Sequence, residues 1–347
     1  MDKKMKTIVF TNPLQVEIME IDKPKITASE VLIQTKALSI CTVEQRTFKD
    51  SNRYPMVGGH EVCGVVVEVG EDVRGYKIGD KVVSTFQYCG YCENCKSGRG
   101  TKCLNSRTQK KRIINNDLNI GNAGMAEFAA VPATQICKVG ESVPYEIAAM
   151  TEPLGCCIHS VEKTKAKYGD TAVVIGAGIM GLLHIKLLRM KGTRVIVSEM
   201  DEKRREKAIK AGANIAFSPE KIDAVDYVKT HTNGIGADIV INTTSIYKVG
   251  EQALQMLAPY GRLIAYASLH PAVPLPIDFG EVHSKEIEII GTVSPSANDF
   301  VMASRLMKYE LIDMTDVMDY VFPFEQAQEA FEQSIIPGTY RCIISFE

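Results

Sequence analysis

Short runs of Val, Ile and Leu, broken by glycine and proline, fill the first 145 residues: KTIVF, EVLIQTKAL, EVCGVVVEVG and DKVVST. β-Branched residues in runs of this length, punctuated by turn pairs such as Val69-Gly70 and Gly79-Asp80, predict strands of a small barrel or sandwich. From about Tyr145 the period changes. A helix is expected over 146–167, a strand over Thr171–Ile175, a helix over Leu182–Lys191 and a strand over Arg194–Ser198. The alternation continues through DEKRREKAIKAGA, ADIVINTT, EQALQMLAPYGRLIAYA and EIEIIGTV. Strands alternating with helices of this length predict βαβ units around a doubly wound parallel sheet. Beyond Gly291 the pattern offers a helix, FVMASRLMKYELI, then YVFPFEQAQEAFEQSI and a strand-like RCIISF that can return to the first domain and extend its sheet. The expected division is therefore 1–145, 146–290 and 291–347.

Length and composition agree with that picture and narrow it. A chain of 347 residues calls for two cores, and 45% hydrophobic with 24% charged residues describes a globular protein. A formal charge of −2 supplies no basic face for nucleic acid, and the short Lys110–Arg112 run reads as a solvated loop. The polar stretch from Val16 to Lys25 interrupts any signal-peptide core, and no apolar run reaches the ~18 residues needed to span a bilayer. A cytoplasmic location without a membrane partner is the expectation. Four of the ten cysteines crowd between Cys89 and Cys103, a distribution that suits metal thiolates better than a disulfide framework.

Gly176, Gly178 and Gly181 follow an apolar strand and open a helix, with Ile179 and Met180 completing the turn. In that context the first glycine permits a tight turn, the second lets a pyrophosphate approach the backbone, and the third lets helix and sheet pack closely. A tight strand–helix turn with no ligand is the plain alternative. Glu199 ends the next strand, where a carboxylate can accept bonds from both adenosine-ribose hydroxyls and repel a 2′-phosphate, so NAD is favoured over NADP. Arg204 and Arg205 follow, placed to stack on adenine or meet a phosphate.

Cys89, Cys92, Cys95 and Cys103 form C-x2-C-x2-C-x7-C, which lets one polar loop wrap four thiolates around a tetrahedral zinc. An iron–sulfur cluster is the competing occupant, but the third-to-fourth interval is long and no proline follows. Four protein thiolates leave no open position, so that ion stabilises the lobe. A second set of donors is scattered: Cys41, the Gly58-Gly59-His60-Glu61 run, and Glu152 in MTEPLGCCIH. Cysteine, histidine and carboxylate together suit a zinc with one position open, although spacing alone does not join them and Cys41 and His60 read equally as core residues.

Taken in order, Cys41 on its loop, GGHEVCGVVVEVG, GDKV, the four-cysteine lobe, TEPLGCCIHS, and VVIGAGIMG followed by SE resemble the zinc-containing medium-chain dehydrogenase/reductase family, in particular its sorbitol and threonine dehydrogenase-like branches, across essentially the whole chain. The resemblance implies a GroES-like catalytic domain built from the two ends of the chain and a Rossmann domain between them, with the reactive zinc near the nicotinamide. It implies that Cys41, His60 and Glu152 bind the catalytic zinc, with Glu61 a nearby carboxylate that approaches it or remains behind it. It further implies NAD-dependent oxidation of a secondary alcohol, a polyol or sugar-derived alcohol, by a homotetramer or homodimer. A threonine-type amino-acid alcohol is the alternative substrate. A chain that binds NAD without turnover, or a zinc hydrolase, is the alternative function.

One stretch departs from the family pattern. Relatives carry a hydroxyl two residues after the cysteine, then aspartate, and often a relay histidine; here the run is Cys41-Thr42-Val43-Glu44-Gln45-Arg46. Val43 has no hydroxyl to pass a proton, and Arg46 stands at the histidine's place. Thr42 is read as packing or capping the loop or as a substitute relay, Glu44 as a loop-shaping ion pair or, with an ordered water, as part of the relay, and Arg46 as a surface or intersubunit salt bridge or a reader of an acidic or phosphorylated polyol; a neighbouring hydroxyl of the substrate is a further proton route. Cys156 and Cys157 read as buried, His159 as a packed helical residue or a cofactor-side hydrogen-bond donor, and Cys63, Cys137 and Cys342 as core positions.

Overall fold

The computed structural model describes residues 4–85, 88–105, 119–120, 124–268 and 274–347; the Lys110–Arg112 run lies outside them. Two compact units emerge, Met1–Gly155 with Pro295–Glu347, and Cys156–Ser294. These limits fall later than the transitions at 145/146 and 290/291 expected from the pattern, because the helix Thr151–Lys163 keeps its first turn, and with it Glu152, in the first unit.

The first unit is built on two sheets. The larger runs Met318–Pro323, Arg341–Ser345, Glu30–Ser39, Glu61–Val69, Lys81–Ser84 and Ile136–Lys138, with Phe128–Pro132 also pairing with Glu30–Ser39. The terminal strand docks antiparallel on the third, Ile343 opposite Ser39 and Ser345 opposite Ala37. The run EVLIQTKALS is buried at nearly every position, as a central strand covered on both faces must be. The smaller sheet orders Gln15–Asp22, Lys4–Asn12, Met56–Val57 and Asn119–Ile120. Its core gathers Ile8, Phe10, Leu38, Phe48, Phe331 and Ile344. Phe331 meets Phe10 edge-on at 5.1 Å between ring centroids, and Phe48 lies 5.3 Å away on its other side. The helix Thr42–Lys49 is anchored there by Phe48, its one large apolar residue that is fully buried.

The second unit is a six-stranded, wholly parallel sheet ordered Ile215–Phe217, Arg194–Ser198, Thr171–Ile175, Ala237–Asn242, Leu257–Ala265 and Glu288–Gly291. Strand order reverses between Thr171–Ile175 and Ala237–Asn242, the switch point outside whose carboxyl ends such sheets take their ligands. Val173 pairs with Ile196 on one side and Val240 on the other, and all three are fully buried. The expected helix over 146–167 is two, Tyr145–Ala149 and Thr151–Lys163. The mixed run 251–267 ends one helix and makes a strand, Leu257–Ala265, with left-handed Tyr260 inside it. The late helix begins earlier than the apolar pattern suggests, at Ala297, because Ser296 and Asp299 form a reciprocal capping box.

Candidate active site

Cys41 occupies the joint between a strand and a helix. The Ile40 amide bonds to the Cys342 carbonyl at 3.0 Å, tying the chain to the sheet, and Cys41 then caps the helix Thr42–Lys49. His60 and Glu61 lie where a glycine pair runs into the strand Glu61–Val69. Glu152 stands in the first turn of Thr151–Lys163, 7% exposed. Folding brings these segments together around His60, which belongs to two sets of donors. It groups with Cys41 and Glu44 and also with Glu61 and Glu152, the donor atoms in each set lying within 4.8 Å of one another.

Glu44 has a larger part than a loop-shaping ion pair. Buried on the inner face of its helix, it sets Oε1 2.9 Å from His60 Nδ1 and accepts the Gly59 amide at 3.2 Å. Burial alone would raise its pKa, but the His60 ring beside it lowers it overall. Burial disfavours the charged ring of His60, and Glu44 outweighs that, holding its pKa well above the usual histidine value. A carboxylate on one imidazole nitrogen fixes the ring so that the other faces the ion, the arrangement that metal-binding histidines use. Glu44 Oε2 is buried without a hydrogen-bond partner, which fits a donor set waiting for a cation.

Glu61 is held from behind. Arg341 donates through Nη2 to Glu61 Oε1 at 2.7 Å and through Nη1 to the Ile40 carbonyl at 2.9 Å, and Ser39 donates its hydroxyl to Glu61 Oε2. Both members of the ion pair are almost wholly buried, with side chains 3% and 0% exposed. Arg341 and Ser39 were not singled out in the sequence; the available signal was an arginine leading an otherwise apolar terminal run. The Cys41 thiol is pushed up by burial and by Glu61, against a hydrogen bond with His60 and the charge of Arg341.

The relay region has no hydroxyl at the expected place. Val43 is exposed, Thr42 is exposed, and Arg46 turns back to donate Nε to the Thr42 carbonyl at 3.3 Å.

The four-cysteine lobe closes on itself. Cys89 and Cys95 sulfurs lie 3.9 Å apart, as do those of Cys92 and Cys103. Thiolates ~2.3 Å from one ion sit ~3.8 Å from each other at the corners of a tetrahedron. Backbone amides point inward, Cys92 N–H to Cys89 Sγ at 3.3 Å and Cys89 N–H to Cys103 Sγ at 3.4 Å, while Asn105 Nδ2 adds a bond to Cys89 Sγ at 3.3 Å. Burial works against ionising Cys89, but the amides of Tyr91 and Cys92 bring its pKa to about 6. Burial and the neighbouring sulfurs push Cys95 up to about 12. Four sulfurs so close cannot all ionise without a cation among them, and the cage fits zinc.

In the second unit the glycine turn has the shape expected of a nucleotide cradle. Gly176 is left-handed at φ +91°, with a Cβ position 2.7 Å from Thr243 Oγ1. A Cβ on Gly181 would lie 2.0 Å from the Gly176 carbonyl oxygen, whereas one on Gly178 would meet nothing within 4 Å. The crowded glycines leave no room for a side chain where helix and sheet meet, and the middle one borders open space. Ile179 and Met180 form the first turn of the helix Ile179–Met190. Glu199, the residue after the strand Arg194–Ser198, accepts the Ala177 amide at 2.7 Å through Oε2 and the Asp201 amide at 2.9 Å through Oε1, so it braces the turn. Arg204 is half-buried in the next helix, its amide capped by Asp201 at 2.8 Å. Cys63, Cys157 and Cys342 are buried as expected, whereas Cys137 and Cys156 are only half-buried.

A parallel nucleotide-binding sheet, a β-rich unit carrying a histidine–cysteine–carboxylate cluster, and a four-thiolate cage define a zinc-type dehydrogenase. Residues 27–141 match the alcohol dehydrogenase GroES-like domain and residues 180–309 match the zinc-binding dehydrogenase domain. L-threonine 3-dehydrogenase of Pyrococcus horikoshii is 33% identical over 345 residues, covering 96% of each chain. D-arabitol-phosphate dehydrogenase of Enterococcus avium is 29% identical over 343 residues, covering 96% of this chain and 95% of its own. Among solved structures, the short chain alcohol dehydrogenase of Escherichia coli CFT073 complexed with NADH is 25% identical, with a TM-score of 0.87 and coverage of 99% of this chain and 100% of that one. The chain belongs to the zinc-containing medium-chain dehydrogenase/reductase family and is an oxidoreductase. Among the described residues no helix is long and apolar enough to cross a membrane.

Proposed function

We propose that this protein is a zinc-dependent dehydrogenase that moves a hydride from a secondary alcohol, a polyol or sugar-derived alcohol, to NAD and leaves a ketone. The observation that carries the proposal is the gathering of Cys41, Glu44, Glu61 and Glu152 about His60. Cys41, His60 and Glu152 would hold the reactive zinc, and Cys89, Cys92, Cys95 and Cys103 a structural one. Bound zinc supplies Lewis acidity, which eases loss of the alcohol proton near neutral pH. Glu44 keeps His60 in one tautomer and orientation. Arg341 and Ser39 hold Glu61 behind the cluster, and a change of those partners would be needed before it could reach the ion. The glycine turn receives the pyrophosphate, and the Glu199 carboxylate accepts from the adenosine ribose and disfavours a 2′-phosphate. Since Val43 offers no hydroxyl, the alcohol proton leaves through Thr42 or through a neighbouring hydroxyl of the substrate.

Glu152 favours a polyol, and the similarity to D-arabitol-phosphate dehydrogenase supports that class. A second reading, oxidation of L-threonine, is favoured by 33% identity to L-threonine 3-dehydrogenases. Zinc-loaded protein with NAD is expected to raise absorbance at 340 nm with one class among sorbitol, D-arabitol, D-arabitol phosphate and L-threonine. A threonine-only response selects the second reading, and silence across this panel with NAD and both zincs present overturns both the polyol and the threonine readings. A cytoplasmic homotetramer or homodimer completes the proposal, and light scattering after gel filtration measures its size.

A further inference from the structure

The helix Thr42–Lys49 has two faces. Glu44, Thr47 and Phe48 point inward and are buried, and Glu44, the helix's one carboxylate, is engaged with His60. Thr42, Val43 and Arg46 are exposed, Val43 at 44%, and their i+3 and i+4 spacings from Arg46 set them side by side on the outer face. That face starts at Cys41, which caps the helix and brings its sulfur to the donor set around His60. Arg46 does not reach straight out into solvent. Its Nε donates to the Thr42 carbonyl at 3.3 Å, which folds the guanidinium back over the first turn and leaves Nη1 and Nη2 unengaged among the described residues. Thr42 directly follows Cys41, so the cation is held roughly one helical turn, ~5 Å, from a proposed zinc ligand.

A tethered cation with an open fork, beside a site for alcohols, suits a substrate that carries an anion, and a planar guanidinium matches the oxygens of a phosphate. Val43 stands next to it on the same face and gives an apolar surface for a carbon chain. Substrate length then sorts the alcohol classes. The carboxylate of L-threonine is two bonds from the carbinol carbon, about 2.5 Å, whereas the terminal phosphate of a pentitol phosphate lies up to five bonds away, about 6 Å, the reach that the fork requires. We propose that Arg46 is a specificity-determining residue for a phosphorylated polyol, its guanidinium fork receiving the terminal phosphate while the carbinol lies at Cys41, His60 and Glu152. The proposal rests on the reading of this site as a polyol dehydrogenase and names the substrate class within it.

The test compares D-arabitol phosphate with D-arabitol on zinc-loaded, full-length wild type, Arg46→Gln and Arg46→Lys. Turnover is read as NAD reduction at 340 nm, and binding by calorimetry of each polyol on the NADH-bound protein. Hydrogen bonds between charged partners are worth roughly 10- to 100-fold. The ratio of kcat/KM for the phosphorylated over the plain polyol is expected to fall by about that factor in Arg46→Gln, through KM more than kcat, with the calorimetric affinity for D-arabitol phosphate falling in step. Arg46→Lys, which keeps the charge and loses the fork, is expected to fall between the two, and added salt to narrow the wild-type preference. A ratio unchanged in Arg46→Gln overturns the proposal. So does an equal loss for both polyols accompanied by weaker NADH binding, which would assign Arg46 to the cofactor, and so does a smaller particle in light scattering at an unchanged ratio, which would assign it to a subunit contact. Wild type that oxidises neither polyol sinks the polyol reading itself, whereas oxidation of both without preference sinks only the part given to Arg46.

Discussion

A single carboxylate, Glu44, shows how far one residue's role depends on what the fold sets beside it. Its Oε1 meets His60 Nδ1 at 2.9 Å and its Oε2 is buried without a partner. Loss of a partner that orients a ligating imidazole typically costs 10–100-fold in metal affinity. Glu44→Ala is therefore expected to weaken the reactive zinc by about that factor while the four-thiolate cage keeps its ion, so metal analysis after mild chelation should fall from two zincs per chain to one. Retention of both would show that His60 needs no such brace. Sequence spacing carried part of this site and hid the rest. The glycines 176, 178 and 181 and the four cysteines stand close along the chain, so local pattern marks them. Glu44 and His60 are 16 positions apart and Arg341 and Glu61 are 280 apart, and no local period relates residues at those separations. Val43 and Arg46 were visible as departures, but the exposure of one and the backward turn of the other onto Thr42 depend on the packed helix.

The helix Ile179–Met190 and the cysteine lobe respond to their surroundings in opposite ways. Burial holds His184 down at about 4, against an ordinary value of 6.5. As pH falls through 6.5 the unfolded chain takes up a proton that the folded helix refuses until about 4, so the unfolded state gains. The loss of stability begins near neutrality, is complete below the folded value and amounts to about 3 kcal/mol; above pH 7 the group contributes no slope. Urea unfolding of the full chain between pH 7 and 4 should show this acid loss, and His184→Gln should flatten it. An unchanged slope in that variant would place the titration elsewhere. The lobe, by contrast, has little core of its own: no residue of its short helix Glu93–Lys96 is buried, and its closure comes from four sulfurs and the bonds around them. Cys103→Ser should abolish one zinc and make the segment around Cys89–Cys103 sensitive to protease, while the parallel-sheet unit keeps its NADH affinity. Protease resistance equal to wild type would mean that the lobe folds without its metal.

At the scale of the whole chain, pattern was most informative where period was strong. The alternating strands and helices from Thr171 onward announce a doubly wound sheet, and separated motifs in family order identify the GroES-like partner, because both signals are written in local sequence. Element limits were less legible. The helix Thr151–Lys163 starts after a break at Met150, and the strand Leu257–Ala265 carries a left-handed Tyr260, features set by tertiary packing more than by propensity. The division into units also separates two activities that one assay would merge. All the proposed donors, Cys41, His60, Glu61, Glu152 and the four cysteines, belong to Met1–Gly155, whereas the glycine turn and Glu199 belong to Cys156–Ser294. A three-residue site with an exchangeable fourth position gives up its ion more readily than four protein thiolates do. Graded chelation should therefore abolish alcohol-dependent NADH formation when the first zinc is lost, with NADH binding preserved, and only later disturb the lobe. Zinc content, turnover and NADH fluorescence measured on the same samples decide it: turnover that survives loss of the first ion would remove zinc from the chemistry, and loss of NADH binding at that stage would show that the two units do not act separately.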